Sequence, residues 1–142
     1  MIRRPLGRSG LEISTIGLGT WAIGGWMWGG QDDAQSIRAI HAALDHGVNW
    51  IDTAPIYGSG HSEVVVGRAV AGWRGGSRPL IFTKFGLGDT SENVVRSATR
   101  ADVLRECDAS LRRLGVDQID LALNRERRVR EPRVARPEDH VG

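Results

Sequence analysis

Three ionisable side chains lie at or just beyond the ends of two predicted strands in this sequence of 142 residues. The apolar run 48–51 ends abruptly in Asp52, and Tyr57 follows five residues later in a glycine-rich loop. Lys84 lies at the end of the next predicted strand, and Tyr57 and Lys84 are the single tyrosine and the single lysine of the sequence. In parallel α/β folds, the carboxyl ends of the strands are where chemistry takes place. The spacing therefore predicts that Asp52 and Lys84 are in direct contact and that Tyr57 faces the same cavity.

Strands that alternate with helices must position these residues. An N-terminal hairpin is predicted over residues 2–14, around a turn that contains two glycines. Four short apolar strands follow, at residues 16–19, 48–51, 80–83 and from 119 to about 123. This alternation is typical of an α/β fold with a parallel sheet.

Three helices are predicted from apolar spacing and capping residues. The first helix has Asp32 or Asp33 as its N-cap and ends at Gly47, and the second has Ser62 as its N-cap. Residues 85–98, which lie between the third core strand and the third helix, are predicted to form a polar loop.

The third helix has the clearest pattern. Thr99 is its predicted N-cap, Asp102 completes an acidic variant of the capping box, and Gly115 ends the helix. Cys107, the single cysteine, lies on the apolar face, which excludes an intrachain disulfide and fits a reducing compartment. The predicted apolar face consists of Val103, Leu104, Cys107, Leu111 and Leu114.

The positive charge is concentrated in the last part of the sequence. Residues 1–123 contain thirteen Arg or Lys and thirteen Asp or Glu, whereas residues 124–142 contain six Arg and four acidic residues, which accounts for the net charge of +2. The main body therefore has no basic excess, and nucleic-acid binding is not expected. The segment 124–142 has two prolines and no apolar period, and it is predicted to be a disordered tail.

Neither a membrane segment nor a metal site is predicted. No apolar run approaches the length of a transmembrane helix, and the N-terminus lacks the apolar region of a signal peptide, so the expected location is the cytoplasm. His41 and His46 are five residues apart on a predicted helix and do not share a face, which argues against a metal pair.

The stretch from Gly47 to Gly67 resembles the signature of the aldo-keto reductases. The resembling motif is Gly47-x4-Asp52-Thr53-Ala54-x2-Tyr57-Gly58-x-Gly60-x-Ser62-Glu63-x3-Gly67. Two further stretches resemble the family's first and third strand ends, namely Gly17-Leu18-Gly19-Thr20-Trp21 and Thr83-Lys84-Phe85-Gly86. The resemblance runs from about Leu6 to Leu121 and implies a (β/α)8 TIM barrel. Because a complete barrel needs roughly 250 residues, residues 1–123 would hold only the N-terminal hairpin and the first four strands, a half-barrel.

The resemblance also implies an activity, the NADP-dependent reduction of aldehydes and ketones. In that family a tyrosine donates a proton to the carbonyl oxygen while hydride moves from the nicotinamide to the carbonyl carbon. A free phenol keeps its proton to about pH 10, and a nearby lysine cation stabilises the phenolate. A buried lysine needs a carboxylate to remain charged. By resemblance Tyr57 is the proton donor, Lys84 its electrostatic partner, and Asp52 the group that holds Lys84.

Other site residues follow only from the resemblance. Gly19, Thr20 and Trp21, together with Asp52, are predicted to flank the nicotinamide of NADP(H). Trp26 and Trp28 either line a substrate pocket or are ordinary packing at the top of the barrel.

One expected site residue is missing. The family has a histidine at the end of its fourth strand, whereas the best-matching position here is Arg125, and no histidine occurs between His61 and His140. The bulk and permanent charge of arginine cannot imitate a neutral imidazole donor.

Three interpretations of the chain remain open. It is predicted to be half of an NADP-dependent aldo-keto reductase that is inactive alone, since the phosphate site of such barrels comes from the loops after strands seven and eight. Alternatively, it is a non-catalytic relative that binds a cofactor or a partner, or a frame-shifted product without function of its own. The open half-barrel also predicts self-association through its uncovered sheet.

Overall fold

The structure is a computed structural model, and it describes residues 1–25, 29–30, 32–86, 88–90, 93–95 and 99–124. The strands are β1 (Arg3–Pro5), β2 (Glu12–Ser14), β3 (Leu18–Gly19), β4 (Trp50–Asp52), β5 (Leu80–Phe85), β6 (Gly88–Thr90), β7 (Asn93–Val95) and β8 (Leu121–Asn124). The helices are a 3-10 turn (Trp21–Gly24), α1 (Asp33–Asp45), α2 (His61–Gly72) and α3 (Arg100–Leu114).

A parallel sheet of four strands forms the centre of the fold. Its order is β3-β4-β5-β8, with α1 between the first two strands, α2 between the next two and α3 before the last. Strands β1 and β2 form the predicted N-terminal hairpin. The α/β architecture and the partial barrel expected from the sequence are therefore confirmed.

The sheet packs its outer face against the three helices. Ile51 and Ile81 are paired across β4 and β5, and both are completely buried. They belong to a core that also contains Ile40, Leu44, Val65, Val66, Ala69 and Leu114. Because side chains alternate along a strand and partners in neighbouring strands share a face, the neighbours of these isoleucines point to the opposite face. We call that opposite face the inner face of the half-barrel.

Helix ends mostly follow the capping residues of the sequence. The Asp32 side chain accepts a hydrogen bond from the backbone N–H of Gln35, and Thr99 accepts one from Asp102. Gly115 ends α3 in the left-handed conformation, with φ of 63°. These three caps were predicted correctly, since each depends on local geometry alone.

Several local predictions were wrong. Helix α2 begins at His61, with Gly60 at its N-cap, and the side chain of Ser62 makes no capping bond. Strands β6 and β7 pair antiparallel within the segment predicted to be a loop. Leu104 is 50% exposed, although it was assigned to the apolar face of α3, and Cys107 is only half-buried.

The last described strand ends at Asn124, so the first residue of the predicted tail 124–142 belongs to β8. The rest of that tail, residues 125–142, lies outside the described residues, as do Trp26 and Trp28. In the part of the chain that the structure describes, none of the helices combines the length and the apolar character that crossing a membrane requires.

Candidate active site

An ion pair between Asp52 and Lys84 lies at the carboxyl ends of two adjacent strands. Asp52 ends β4 and Lys84 lies near the end of β5, so the two side chains leave the inner face side by side. The Lys84 Nζ atom is 2.7 Å from each carboxylate oxygen of Asp52 and 3.1 Å from the carbonyl oxygen of Thr53. An ammonium group has three N–H donors, and all three have an acceptor here. The ammonium group is therefore held in one place.

Tyr57 lies beside this ion pair. The Nζ atom of Lys84 is 5.1 Å from the centroid of the Tyr57 ring, which is within the range of a cation–π contact. The loop that carries Tyr57 is fixed at both ends by backbone hydrogen bonds, from the Tyr57 N–H to Ala54 and from the Ser62 N–H to the Tyr57 carbonyl. The structure thus brings together the three side chains that the sequence placed at one edge of the sheet.

A cluster of three buried hydroxyls supports the strand end under Asp52. Thr20, Thr53 and Ser62 are each completely buried. The Ser62 Oγ atom lies 2.8 Å from the Thr20 hydroxyl and 3.1 Å from the Thr53 hydroxyl, and the Thr20 hydroxyl donates to the backbone carbonyl of Asp52. Ser62 does not cap α2 because its hydroxyl is used in this tertiary contact.

Glu63, the next residue of the motif, is a completely buried carboxylate. One oxygen accepts a hydrogen bond from the Thr83 hydroxyl at 2.7 Å, and the other accepts one from Nε of Arg113 at 2.6 Å. A buried charge needs a partner of opposite charge and hydrogen bonds to both oxygens. Arg113 is not predicted from the sequence, because nothing in a single sequence links it to a carboxylate fifty residues earlier.

The motif residues that form this site also identify the family. Residues 15–124 match the sequence model of the aldo/keto reductase family. The chain belongs to the aldo/keto reductase family. This confirms the resemblance found in the sequence.

Curated aldo/keto reductases similar to this chain are longer than it. Aldo-keto reductase YhdN of Bacillus subtilis is 49% identical over 113 residues, an alignment that covers 80% of this chain and 34% of that protein. The NADH-specific methylglyoxal reductase of Escherichia coli is 38% identical, with 85% of this chain and 40% of that protein covered. The chain therefore spans well under half the length of these relatives.

Solved structures of aldo/keto reductases have the same fold over this region. A glycerol dehydrogenase from Gluconobacter oxydans is 49% identical, has a TM-score of 0.71, and is matched over 86% of this chain and 38% of its own length. An aldo/keto reductase from Klebsiella pneumoniae, solved in complex with NADP and acetate, is 33% identical with a TM-score of 0.61, and is matched over 80% of this chain and 35% of its own. The four-stranded sheet is thus the first part of an aldo/keto reductase barrel.

The surroundings of Asp52 fit the reactive end of a nicotinamide cofactor. Gly19 is paired with Asp52 across β3 and β4, it is exposed, and a Cβ atom added to it would meet no other atom within 4 Å. A flat ring can therefore approach the sheet beside the carboxylate. Trp21 is 52% exposed next to this opening, whereas the hydroxyl of Thr20 is engaged in the buried cluster. Contacts of Gly19, Thr20 and Trp21 with a cofactor stay predictions.

A cavity lies at the other end of the sheet. It has a volume of about 440 Å³, and its walls include Leu11, Trp73, Arg78 and Leu80, near the amino ends of β4 and β5. Asp52, Tyr57 and Lys84 do not line it. We therefore place the site of this aldo/keto reductase by its side-chain chemistry and not by cavity size.

Proposed function

We propose that the chain supplies the proton-donor side of an aldo/keto reductase site that reduces an aldehyde or a ketone. The observation that carries this proposal is the position of the Lys84 ammonium, 2.7 Å from both Asp52 oxygens and 5.1 Å from the Tyr57 ring. The geometry places the single phenol of the chain beside a cation whose position Asp52 and Thr53 fix.

Each of the three side chains has one role in this proposal. When bound, NADP(H) supplies hydride to the carbonyl carbon. The Tyr57 hydroxyl donates its proton to the carbonyl oxygen, which yields the alcohol and leaves a phenolate. Lys84 offsets the negative charge of that phenolate, and the two carboxylate oxygens of Asp52 hold its ammonium group in place. The Thr20, Thr53 and Ser62 cluster holds the backbone that carries Asp52.

NADPH is the proposed cofactor and NADH is the alternative; measuring turnover with each cofactor separately distinguishes the two. The Klebsiella pneumoniae structure contains NADP, whereas the Escherichia coli relative is NADH-specific. The described residues fit the reactive end of either cofactor. The phosphate-binding loops of TIM barrels usually follow strands seven and eight, and the described parallel sheet has four strands.

We therefore expect the isolated chain of 142 residues to show no measurable turnover. Loops that bind the cofactor provide the energy that positions the hydride donor, and losing that positioning removes most of the rate. The measurement is oxidation of NADPH or NADH with a panel of aldehydes, with the Tyr57→Phe variant as the background. Turnover clearly above that background would contradict this expectation.

A chimera tests the role of the three side chains. Residues 15–124 of this chain replace the matching segment of the Bacillus subtilis relative, and aldehyde reduction is measured. We expect Tyr57→Phe to lower kcat by about 10²- to 10⁴-fold, the usual contribution of a general acid, and Lys84→Met to do the same.

The matched control is Asp33→Asn, set against Asp52→Asn. Both aspartates are ion-paired, but Asp33 pairs with His61 and Arg68 of α2, whereas Asp52 pairs with Lys84. Only the Asp52 variant is expected to lose activity. An active Tyr57→Phe chimera would overturn the proposed function, and binding of NADPH without any turnover in the parent chimera would favour a non-catalytic relative.

A further inference from the structure

The ion pair between buried Glu63 and half-buried Arg113 has no role in the proposed proton transfer. Glu63 is completely buried, and both of its oxygens are bonded to protein groups, Thr83 on β5 and Arg113 on α3. A buried ion pair is weak evidence for stability, since desolvation opposes the attraction between the charges. The contacts around the pair indicate a role in positioning other residues.

One side of the pair is linked to Lys84. Thr83, which donates its hydroxyl hydrogen to Glu63, directly precedes Lys84 on β5. Thr83 points to the helices, and Lys84 points to the inner face. Glu63 therefore fixes the start of α2 to the strand position next to the ammonium group.

The other side of the pair is linked to Tyr57. Ser62, the neighbour of Glu63, donates its backbone N–H to the Tyr57 carbonyl at 3.2 Å. Gly60, in the same loop, packs directly on Arg113, because a Cβ atom added to Gly60 would lie 2.5 Å from Cδ of Arg113 and 2.8 Å from Nε. The Arg113 side chain thus supports the loop that carries the phenol.

We propose that Glu63 and Arg113 are positioning residues that set the distance between Tyr57 and Lys84, an inference that rests on the proposed function. Glu63 ties the loop and α2 to β5, and Arg113 neutralises that carboxylate while its stem fills the space under Gly60. Without the pair, the loop and the strand lose their common support. Tyr57 and Lys84 would then move apart while the fold is retained.

The composition of the chain allows a direct measurement. Tyr57 and Lys84 are the single tyrosine and the single lysine, so labelling these two residue types with ¹³C gives one set of NMR signals for each. The nuclear Overhauser effect (NOE) between the Tyr57 ring protons and the Lys84 side chain reports their separation without cofactor, substrate or turnover. NOE intensity falls with the sixth power of distance. The Lys84 Nζ atom lies 5.1 Å from the centroid of the Tyr57 ring; for a proton pair at a comparable separation, a displacement of about 1 Å, which can already cost about 100-fold in rate, lowers the NOE about threefold.

We expect Arg113→Ala to lower this NOE about threefold or more. The control is Arg112→Ala, the exposed neighbour in the same turn of α3, which should leave the NOE unchanged. Arg113→Lys keeps the charge and most of the stem, so it should retain most of the NOE. If Arg113→Ala does not fold, the double variant Glu63→Gln/Arg113→Ala removes the uncompensated buried charge and takes its place.

Kinetics of the chimera provide the second measurement. Arg113→Ala should lower kcat by about 10- to 100-fold with little change in KM, and Arg113→Lys should restore most of it. An unchanged NOE in a folded Arg113→Ala or double variant would overturn the positioning role. That result is distinct from an active Tyr57→Phe chimera, which would overturn the proposed reaction and leave the NOE as measured.

Discussion

Replacing Gly58 by alanine should destabilise the loop that carries Tyr57 by more than backbone strain alone, because the new side chain would also collide with a neighbouring segment. Gly58 has φ of 61°, in the left-handed region that disfavours residues with a Cβ atom. An alanine Cβ there would also collide with the backbone of Gly24, where it would contact the carbonyl oxygen and lie 2.8 Å from Cα. Backbone atoms cannot rotate away as the end of a side chain can. Either the loop or the 3-10 turn must move.

The expected loss in the free energy of unfolding has two parts, and a second variant separates them. A non-glycine residue in the left-handed region costs about 1–2 kcal/mol, and overpacking against fixed atoms costs about 1–3 kcal/mol more. Gly115 has φ of 63°, but a Cβ atom added to it would meet nothing within 4 Å. Gly115→Ala therefore carries the first part only. We expect a loss of about 1–2 kcal/mol for Gly115→Ala and about 2–5 kcal/mol for Gly58→Ala.

Urea denaturation followed by far-UV circular dichroism measures both variants against the parent chain, with an unchanged m-value as the condition for comparing midpoints. Gly58→Ala should also weaken the NOE between Tyr57 and Lys84, whereas Gly115→Ala should not. If the two variants lose the same stability, the steric part of the argument is refuted, and the packing of Gly58 on Gly24 does not hold the loop.

Three further predictions concern the ion pair, the sheet and the cysteine. Asp52→Asn should destabilise the chain by about 1–3 kcal/mol, since it weakens charged hydrogen bonds to partly buried Lys84, whereas Asp33→Asn, whose partners His61 and Arg68 are more exposed than Lys84, should cost at most about 1 kcal/mol; equal denaturation midpoints would contradict this. The chain should self-associate through the inner face, where Leu123 is 39% exposed, and a monodisperse monomer in size-exclusion chromatography would count against this proposal. Burial, reinforced by nearby carboxylates, raises the pKa of the Cys107 thiol. The contribution of this thiol to stability should therefore be constant below the ordinary thiol pKa of about 8.5 and fall as pH rises from there through the raised pKa. Cys107→Ser should remove this part of any alkaline loss in denaturant melts, and an identical loss in both proteins would contradict the prediction.

The contact between Asp52 and Lys84 could be predicted from the sequence because two strong rules coincide there. Adjacent parallel strands place their carboxyl ends at one edge, and a lysine near that edge needs a carboxylate. In the structure the two residues lie at that edge, with the Lys84 Nζ atom 2.7 Å from the Asp52 carboxylate. The caps at Asp32 and Thr99 could be predicted for the same reason, since their geometry is local.

The remainder depends on tertiary contacts that a local pattern does not encode. Ser62 has the right type and position for an N-cap, but the buried hydroxyls of Thr20 and Thr53 compete for its side chain. Leu104 fits the helical period of α3, yet the helix buries a narrower face than the period suggests. Arg113 could not be found at all, because its partner is remote in sequence.

Because the cavity lies at the amino ends of the strands, stability can be changed there without a change in the site that carries the chemistry. Changes that stabilise a protein often cost activity when they stiffen the site itself. Here about 440 Å³ of space lies at the end of the sheet opposite the reactive side chains. Larger apolar residues at wall positions such as Leu11 would add packing far from Tyr57. A substitution that lowers the stability of this half-barrel can therefore be compensated at the amino ends of the strands, without a change near Asp52, Tyr57 and Lys84.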